Sequence, residues 1–171
     1  MLQRIAFLLE AMSILQKTLV ALSTLGPVGL GPVGLGPERL PSAEPLEPSV
    51  LPVYIGTYTG SGSEGIYRIL FGAETGRLSE PALAAKTESP SFLAFHPSGR
   101  VLYAVGETGS FRGERTGAVS AFAVDAETGE LSPLNQAASG GTSPCHLAVD
   151  PTGRCLLVAN YGGSVAALRL G

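Results

Sequence analysis

Ser89-Pro90-Ser91-Phe92-Leu93-Ala94-Phe95-His96-Pro97-Ser98-Gly99-Arg100-Val101-Leu102-Tyr103 returns 54 residues later as Ser143-Pro144-Cys145-His146-Leu147-Ala148-Val149-Asp150-Pro151-Thr152-Gly153-Arg154-Cys155-Leu156-Leu157. Ser, Pro, Leu, Ala, Pro, Gly, Arg and Leu recur in place. A second pair keeps nearly the same step: Glu74-Thr75-Gly76-Arg77-Leu78-Ser79 and Glu127-Thr128-Gly129-Glu130-Leu131-Ser132 lie 53 residues apart. Two motifs at one period define an internal repeat of about 50 residues.

Each unit holds four short β-type segments, which in the middle unit span 91–95, 101–106, 118–125 and 131–137. A Pro-x-Gly turn joins the first two and an Ala-Glu-Thr-Gly turn the last two, both sound hairpin chemistry. Four antiparallel strands per repeat is the pattern of a propeller blade, and neither a helical solenoid nor a sandwich repeats in this way. The fold class is therefore all-β, a β-propeller of four-stranded blades. In the first unit, residues 52–59 align with the second strand of a blade, 65–71 with the third and 78–85 with the fourth, so the innermost strand is missing. Gly171 falls in what reads as the third strand of the third unit. The expectation is a partial propeller of about two and a half blades, because a ring needs at least ~4 blades to cover its edges. The remaining blades are then expected further along a longer polypeptide or on another chain.

The chain has 171 residues, 44% apolar and 15% charged, which fits a folding chain rather than global disorder. Eleven basic residues are scattered without a run and the net charge is −3, so no nucleic-acid footprint is present. Residues 1–25 are apolar but broken by Arg4, Glu10 and Lys17. The tandem Gly-Pro-Val-Gly-Leu that follows cannot hold a membrane-spanning helix. Glu10 interrupts the weak apolar start, and no Ala-x-Ala cleavage site follows, which argues against an export signal. Residues 1–50 are expected to form a short amphipathic helix and a Gly/Pro-rich linker without chemistry, and residues 51–171 the propeller. Cys145 and Cys155 flank the Asp150-Pro151-Thr152-Gly153 turn. Pairing symmetric about that turn sets Cys145 opposite Val158 and Cys155 opposite Ala148, roughly 10 Å apart at ~3.3 Å per residue and too far to bridge. Free, mostly buried thiols suit a reducing compartment, so the expected location is cytoplasmic.

Val53-Tyr54-Ile55-Gly56-Thr57-Tyr58-Thr59 resembles the opening of the lactonase-type seven-bladed propellers. So does Ser143-Pro144-Cys145-His146-Leu147-Ala148-Val149-Asp150-Pro151 followed by Val158-Ala159-Asn160-Tyr161-Gly162-Gly163. That family holds bacterial 6-phosphogluconolactonase and fungal carboxy-muconate cycloisomerase, and the resemblance covers residues 51–171. It implies a lactone hydrolase that opens a small sugar lactone to its acid, in the pentose phosphate route, with no metal or other cofactor. In the cycloisomerase relative, a histidine on an inner strand works with arginines and a glutamate from later blades. Of these only His146 has a counterpart in this sequence.

The repeat itself weighs the candidate residues. His146 stands where the preceding unit has Phe92, inside the innermost strand, and a titratable ring replacing a large apolar one breaks the local rule. Such a histidine could activate water or polarise a lactone carbonyl, against the alternative of a packed ring bonded to a neighbouring blade. His96 aligns with Asp150 at a turn, where a polar side chain is expected to bond backbone. Asn160 and Tyr161 align with Gly106 and Glu107 at the end of the second strand. They are candidates for holding substrate at a pocket edge, or for bonding the exposed loop. Arg100 and Arg154 recur and read as architectural. Cys145 is set aside as a nucleophile, since adjacent strand residues point to opposite faces. Two histidines and two cysteines offer no metal-ligand spacing, and neither a phosphate-cradling loop nor a nucleophile elbow is present. The competing expectations are a non-enzymatic propeller binding module and an inactive truncated fragment whose open edges aggregate.

Overall fold

Ten strands, and no helix, make up the regular structure of the described residues in the computed structural model, which are 46, 47 and 49–171. The described residues belong to one compact unit. The helix and most of the linker expected for residues 1–50 lie outside the described residues. Leu46, expected in that linker, already donates its backbone N–H to the Glu127 carbonyl at 2.8 Å.

The strands are β1 (Val50–Ile55), β2 (Gly65–Gly72), β3 (Ala82–Lys86), β4 (Leu93–Phe95), β5 (Val101–Gly106), β6 (Ala118–Val124), β7 (Leu131–Ala138), β8 (Pro144–Val149), β9 (Cys155–Asn160) and β10 (Ser164–Arg169). They form three antiparallel sheets in the orders β1-β2-β3, β4-β5-β6-β7 and β8-β9-β10. The middle sheet is a complete four-stranded blade. The first begins at the second strand of the repeat and the third holds the first three, which is the phase read from the sequence. Strand β3 starts later than expected: Pro81 has no N–H for the ladder, and Leu78 makes only an isolated bridge to Phe71.

Burial follows the position of each strand in the blade. Leu102–Gly106 and Ala118–Phe122 are buried continuously, because the middle strands are covered on both faces by neighbouring blades. The unbroken apolar run Val101-Leu102-Tyr103-Ala104-Val105 is the sequence mark of that environment. Outermost β7 is exposed from Ser132 onward. Between the second and third blades, Tyr103, Val105, Val119 and Ala121 pack on Leu147, Leu156 and Val158. Full burial of each large side chain there is worth ~1.5–3 kcal/mol.

The seam between the first and second blades is more polar. Tyr54 is 2% exposed and its ring meets Phe95 edge-on, with centroids 5.8 Å apart. Its hydroxyl donates to the Gly129 carbonyl, and Arg68 Nη1 donates to the Thr128 carbonyl at 2.7 Å. Gly129 has φ +67°, and a Cβ there would stand 2.8 Å from Pro52 Cβ, so the close approach of the blades requires glycine.

One expected register is corrected. In the β8–β9 hairpin Leu147 pairs with Val158 and Val149 with Leu156, and the Asp150 N–H bonds the Cys155 carbonyl. The Asp150 carboxylate winds the turn further than a symmetric four-residue turn. Its Oδ1 accepts from the N–H groups of Arg154 and Cys155 at 2.8 and 2.7 Å, and its Oδ2 accepts from the Thr152 N–H at 3.1 Å and from its hydroxyl. Cys145 therefore stands beside Ala159 and Cys155 opposite Asp150, ~15 Å apart at ~3.3 Å per residue. Both thiols are free and half-buried.

Candidate active site

At one end of each blade the start of the innermost strand meets the end of the second strand, and the same device closes both examples. Ser89 and Ser143 adopt left-handed φ of 43° and 54°, rare for residues with a side chain, immediately before buried Pro90 and Pro144. Their carbonyls accept the N–H groups of Glu107 at 3.0 Å and Tyr161 at 2.7 Å. The ladder slips by one residue at Cys145, between Pro144 and His146. Bonds from Val105 N–H to Phe92 and from Glu107 N–H to Ser89 show the equivalent slip at Ser91. A bulge of this kind re-aims side chains at a sheet end. Successive ends are tied together: the Ser89 N–H donates to Thr59 Oγ1 at 3.2 Å, and the Ser143 N–H to the Thr108 carbonyl at 2.8 Å.

His146 is exposed on β8, directly after the bulge. Its ring lies against Phe92 of the preceding blade, centroids 4.3 Å apart and planes inclined at 42°. The aligned pair thus touch each other across the seam. Asn160 is 5% exposed at the end of β9, rather than open at a pocket edge. Its Nδ2 donates to the Ser139 carbonyl and to Ser164 Oγ, both at 3.1 Å, while Oδ1 is buried without a partner among the described residues. Tyr161, the next residue, is 82% exposed. The structure therefore brings His146 and Tyr161 to the same solvent-facing end and places Asn160 beneath it.

His96 bonds turn backbone, as a residue at that place should. The Ser98 N–H donates to Nδ1 at 3.1 Å, so the proton sits on Nε2, which donates to the Gly153 carbonyl of the next blade at 3.1 Å. Strict alternation does not hold at the Cys145 bulge, but the thiol is turned onto its own blade, with Sγ 3.6 Å from the Ala159 carbonyl. Arg100 and Arg154 contribute main-chain bonds, their carbonyls accepting the N–H groups of Val124 and Leu170 at 2.9 Å.

Two further residues at this end, Tyr58 and Glu107, escaped the sequence reading as site residues. Tyr54 pairs with Arg68, Tyr103 with Ala121 and Leu157 with Ala167, so these three ladders are equivalent. Counting on along the chain, Tyr58, Glu107 and Tyr161 occupy one position in three consecutive blades. Glu107 Oε2 accepts the Tyr58 hydroxyl at 2.9 Å and also the Ser91 hydroxyl. The hydrogen bond that the Tyr58 hydroxyl donates to this carboxylate pushes the phenol above its usual pKa, and burial and the carboxylate's charge push it the same way. The detectable signal was the recurrence of Tyr58-Thr59-Gly60 as Glu107-Thr108-Gly109.

Among the described residues no group of three His, Cys, Asp or Glu side chains is placed to hold a metal ion. A cleft of about 370 Å³ runs along β6 and β7 and is lined by Ser120, Pro133 and Gln136, not by His146 or Glu107.

Residues 52–171 match the family described as lactonase, 7-bladed beta-propeller, and the chain belongs to that family. The 6-phosphogluconolactonase of Bacillus subtilis is 41% identical over 108 residues, 63% of this chain and 30% of the relative. The enzyme of the same name from Formosa agariphila is 31% identical over 113 residues, 64% of this chain and 30% of that protein. Among solved structures, the periplasmic gluconolactonase of Pseudomonas aeruginosa superposes with a TM-score of 0.64 at 32% identity, covering 72% of this chain and 35% of that one. The chain thus spans about a third of the length of the relatives it matches.

Proposed function

We propose that the protein of which this chain carries these blades is a lactone hydrolase of the 6-phosphogluconolactonase type, acting on a small polar sugar lactone. The observation that carries the reading is the placement of His146, the one titratable ring on an innermost strand among the described residues. It is exposed beside Phe92 at the end where three blades converge. The names of the Bacillus, Formosa and Pseudomonas relatives support the substrate class. His146 takes a proton from the attacking water as the new C–O bond forms at the lactone carbonyl. It then returns that proton to the ring oxygen as the ring C–O bond breaks, which leaves the hydroxy acid. Tyr161 serves the pocket edge through its exposed phenol, and Asn160 through the loop it holds against Ser139. Two unbridged thiols support a cytoplasmic site of action, although the Pseudomonas relative is described as periplasmic.

Turnover of glucono-1,5-lactone and its 6-phosphate by the protein and by His146→Ala tests the assignment. General acid–base loss lowers kcat about 10²–10⁴-fold. A His146→Ala variant that keeps its kcat removes His146 from the mechanism.

A further inference from the structure

We propose that Glu107 is a substrate-binding residue of this site, its Oε1 accepting hydrogen bonds from the ring hydroxyls of a polyhydroxylated lactone while Tyr58 and Ser91 fix the carboxylate through Oε2. The assignment rests on the lactone-site reading above and names what that site grips besides the carbonyl.

Four features of the geometry converge on it. Both protein bonds to the carboxylate fall on Oε2, and among the described residues Oε1 receives none. An ionised carboxylate is acceptor-only with about four lone-pair positions, so two donors leave capacity for more. The two donors come from different places, Tyr58 from the loop after β1 and Ser91 from the bulge before β4, so the group is held from both blades. That is how a rigid recognition group is built, rather than a solvated surface charge. The chain also ties the carboxylate to the proposed chemistry. Ser91, which bonds Glu107, directly precedes Phe92, whose ring lies 4.3 Å from that of His146. The partner Tyr58 is itself 64% exposed, so this network faces solvent where a ligand can reach it.

The chemistry favours hydroxyls as the ligand. A carboxylate accepts O–H donors with charge assistance, and a site built around such bonds rejects an analogue lacking the hydroxyl. Glu107 therefore selects polyhydroxy lactones over bare ones, and the selection appears in binding before any bond is broken.

Calorimetric and ligand-observed NMR titrations with D-glucono-1,5-lactam, a lactone isostere that resists hydrolysis, read this directly. The hydroxyl-free δ-valerolactam is the comparison. Hydrogen bonds to a charged group imply that Glu107→Gln weakens gluconolactam about 10- to 100-fold and leaves valerolactam within about twofold. Tyr58→Phe keeps the charge and loses only one brace, so its loss stays below about tenfold. In turnover of glucono-1,5-lactone the Glu107→Gln KM rises while kcat moves less, since the lost contact serves ground and transition states alike. Unchanged gluconolactam affinity in Glu107→Gln, equal losses for both lactams, or no binding of gluconolactam by the unsubstituted protein each overturns the assignment. Selective loss of gluconolactam affinity in a protein that turns over no lactone upholds the subsite and overturns the hydrolase reading alone.

Discussion

Removing one oxygen from the first seam tests how the blades are held together. In Tyr54→Phe the ring keeps its edge-on contact with Phe95, and only the hydroxyl that donates to the Gly129 carbonyl is lost. Gly129 is buried, so its carbonyl is left without that donor in a place water does not freely reach. Stranding a buried acceptor costs ~1–3 kcal/mol, a large part of the ~5–15 kcal/mol that holds a typical domain folded. Urea unfolding should show this as a lower midpoint at unchanged slope. The pH dependence supplies a second signature. Burial pushes the Tyr54 phenol up to about 12, from an ordinary value near 10. A group whose folded pKa is raised stabilises fully below its unfolded pKa and loses that contribution as pH rises through the folded one. The stability gap between the native chain and Tyr54→Phe should therefore be constant below pH ~10 and close toward pH ~12. A gap under about 0.5 kcal/mol at neutral pH, or one that widens in alkali, refutes the reasoning; the threshold is set by the lower end of ordinary hydrogen-bond contributions.

Gly129→Ala should destabilise by ~2–4 kcal/mol in thermal unfolding, adding the left-handed backbone cost to a clash with Pro52. Gly76→Ala, the same turn position one blade earlier at φ +69° with open space around its Cβ, should cost only the backbone part, ~1–2 kcal/mol. Equal costs at the two sites exclude a tight first seam. Four donors hold the Asp150 carboxyl down at about 2, the Thr152 hydroxyl foremost. The native chain should keep this contribution above pH ~4 and lose it as pH falls through 2. Asp150→Asn, in which an amide N–H₂ meets those same donors, should unfold earlier at pH 7 and lack that acid limb. An acid limb identical to the native one by circular dichroism excludes the carboxylate as its source.

The blades were legible because repetition fixes strands, turns and their order together. Segments read at 101–106 and 131–137 correspond to β5 and β7 within one residue, and the missing inner strand of the first unit was visible in its phase. Errors arose where a side chain reshapes the backbone. Asp150 draws in the amides of Thr152, Arg154 and Cys155 and so moves the β8–β9 register, which no hydrophobic pattern records. The bulges at Ser91 and Cys145 shortened β4 and spoiled simple alternation. Asn160 was read only from its place at a strand end, and the two bonds through Nδ2 that hold it inside left no mark in the pattern.

The site was legible only where the repeat breaks its own rule within an aligned pair. His146 stood out because Phe92 occupies its place one blade earlier. Glu107 did not, since glutamate and tyrosine at a strand end are each unremarkable, and its meaning comes from Tyr58 reaching it from another blade. The division between scaffold and chemistry at this end follows the same line. Ser89 and Ser143, Pro90 and Pro144 recur unchanged and fix the backbone, down to the left-handed serines and the carbonyls they offer. Between those fixed points the side chains differ from blade to blade: Ser91 against Cys145, Phe92 against His146, and Tyr58, Glu107 and Tyr161 in succession. A repeated scaffold that presents unlike groups at equivalent positions is what an asymmetric ligand needs from a ring of similar parts. Glu107 and His146 sit at different positions on successive blades, so one ligand spanning both would be fixed in orientation as well as in place.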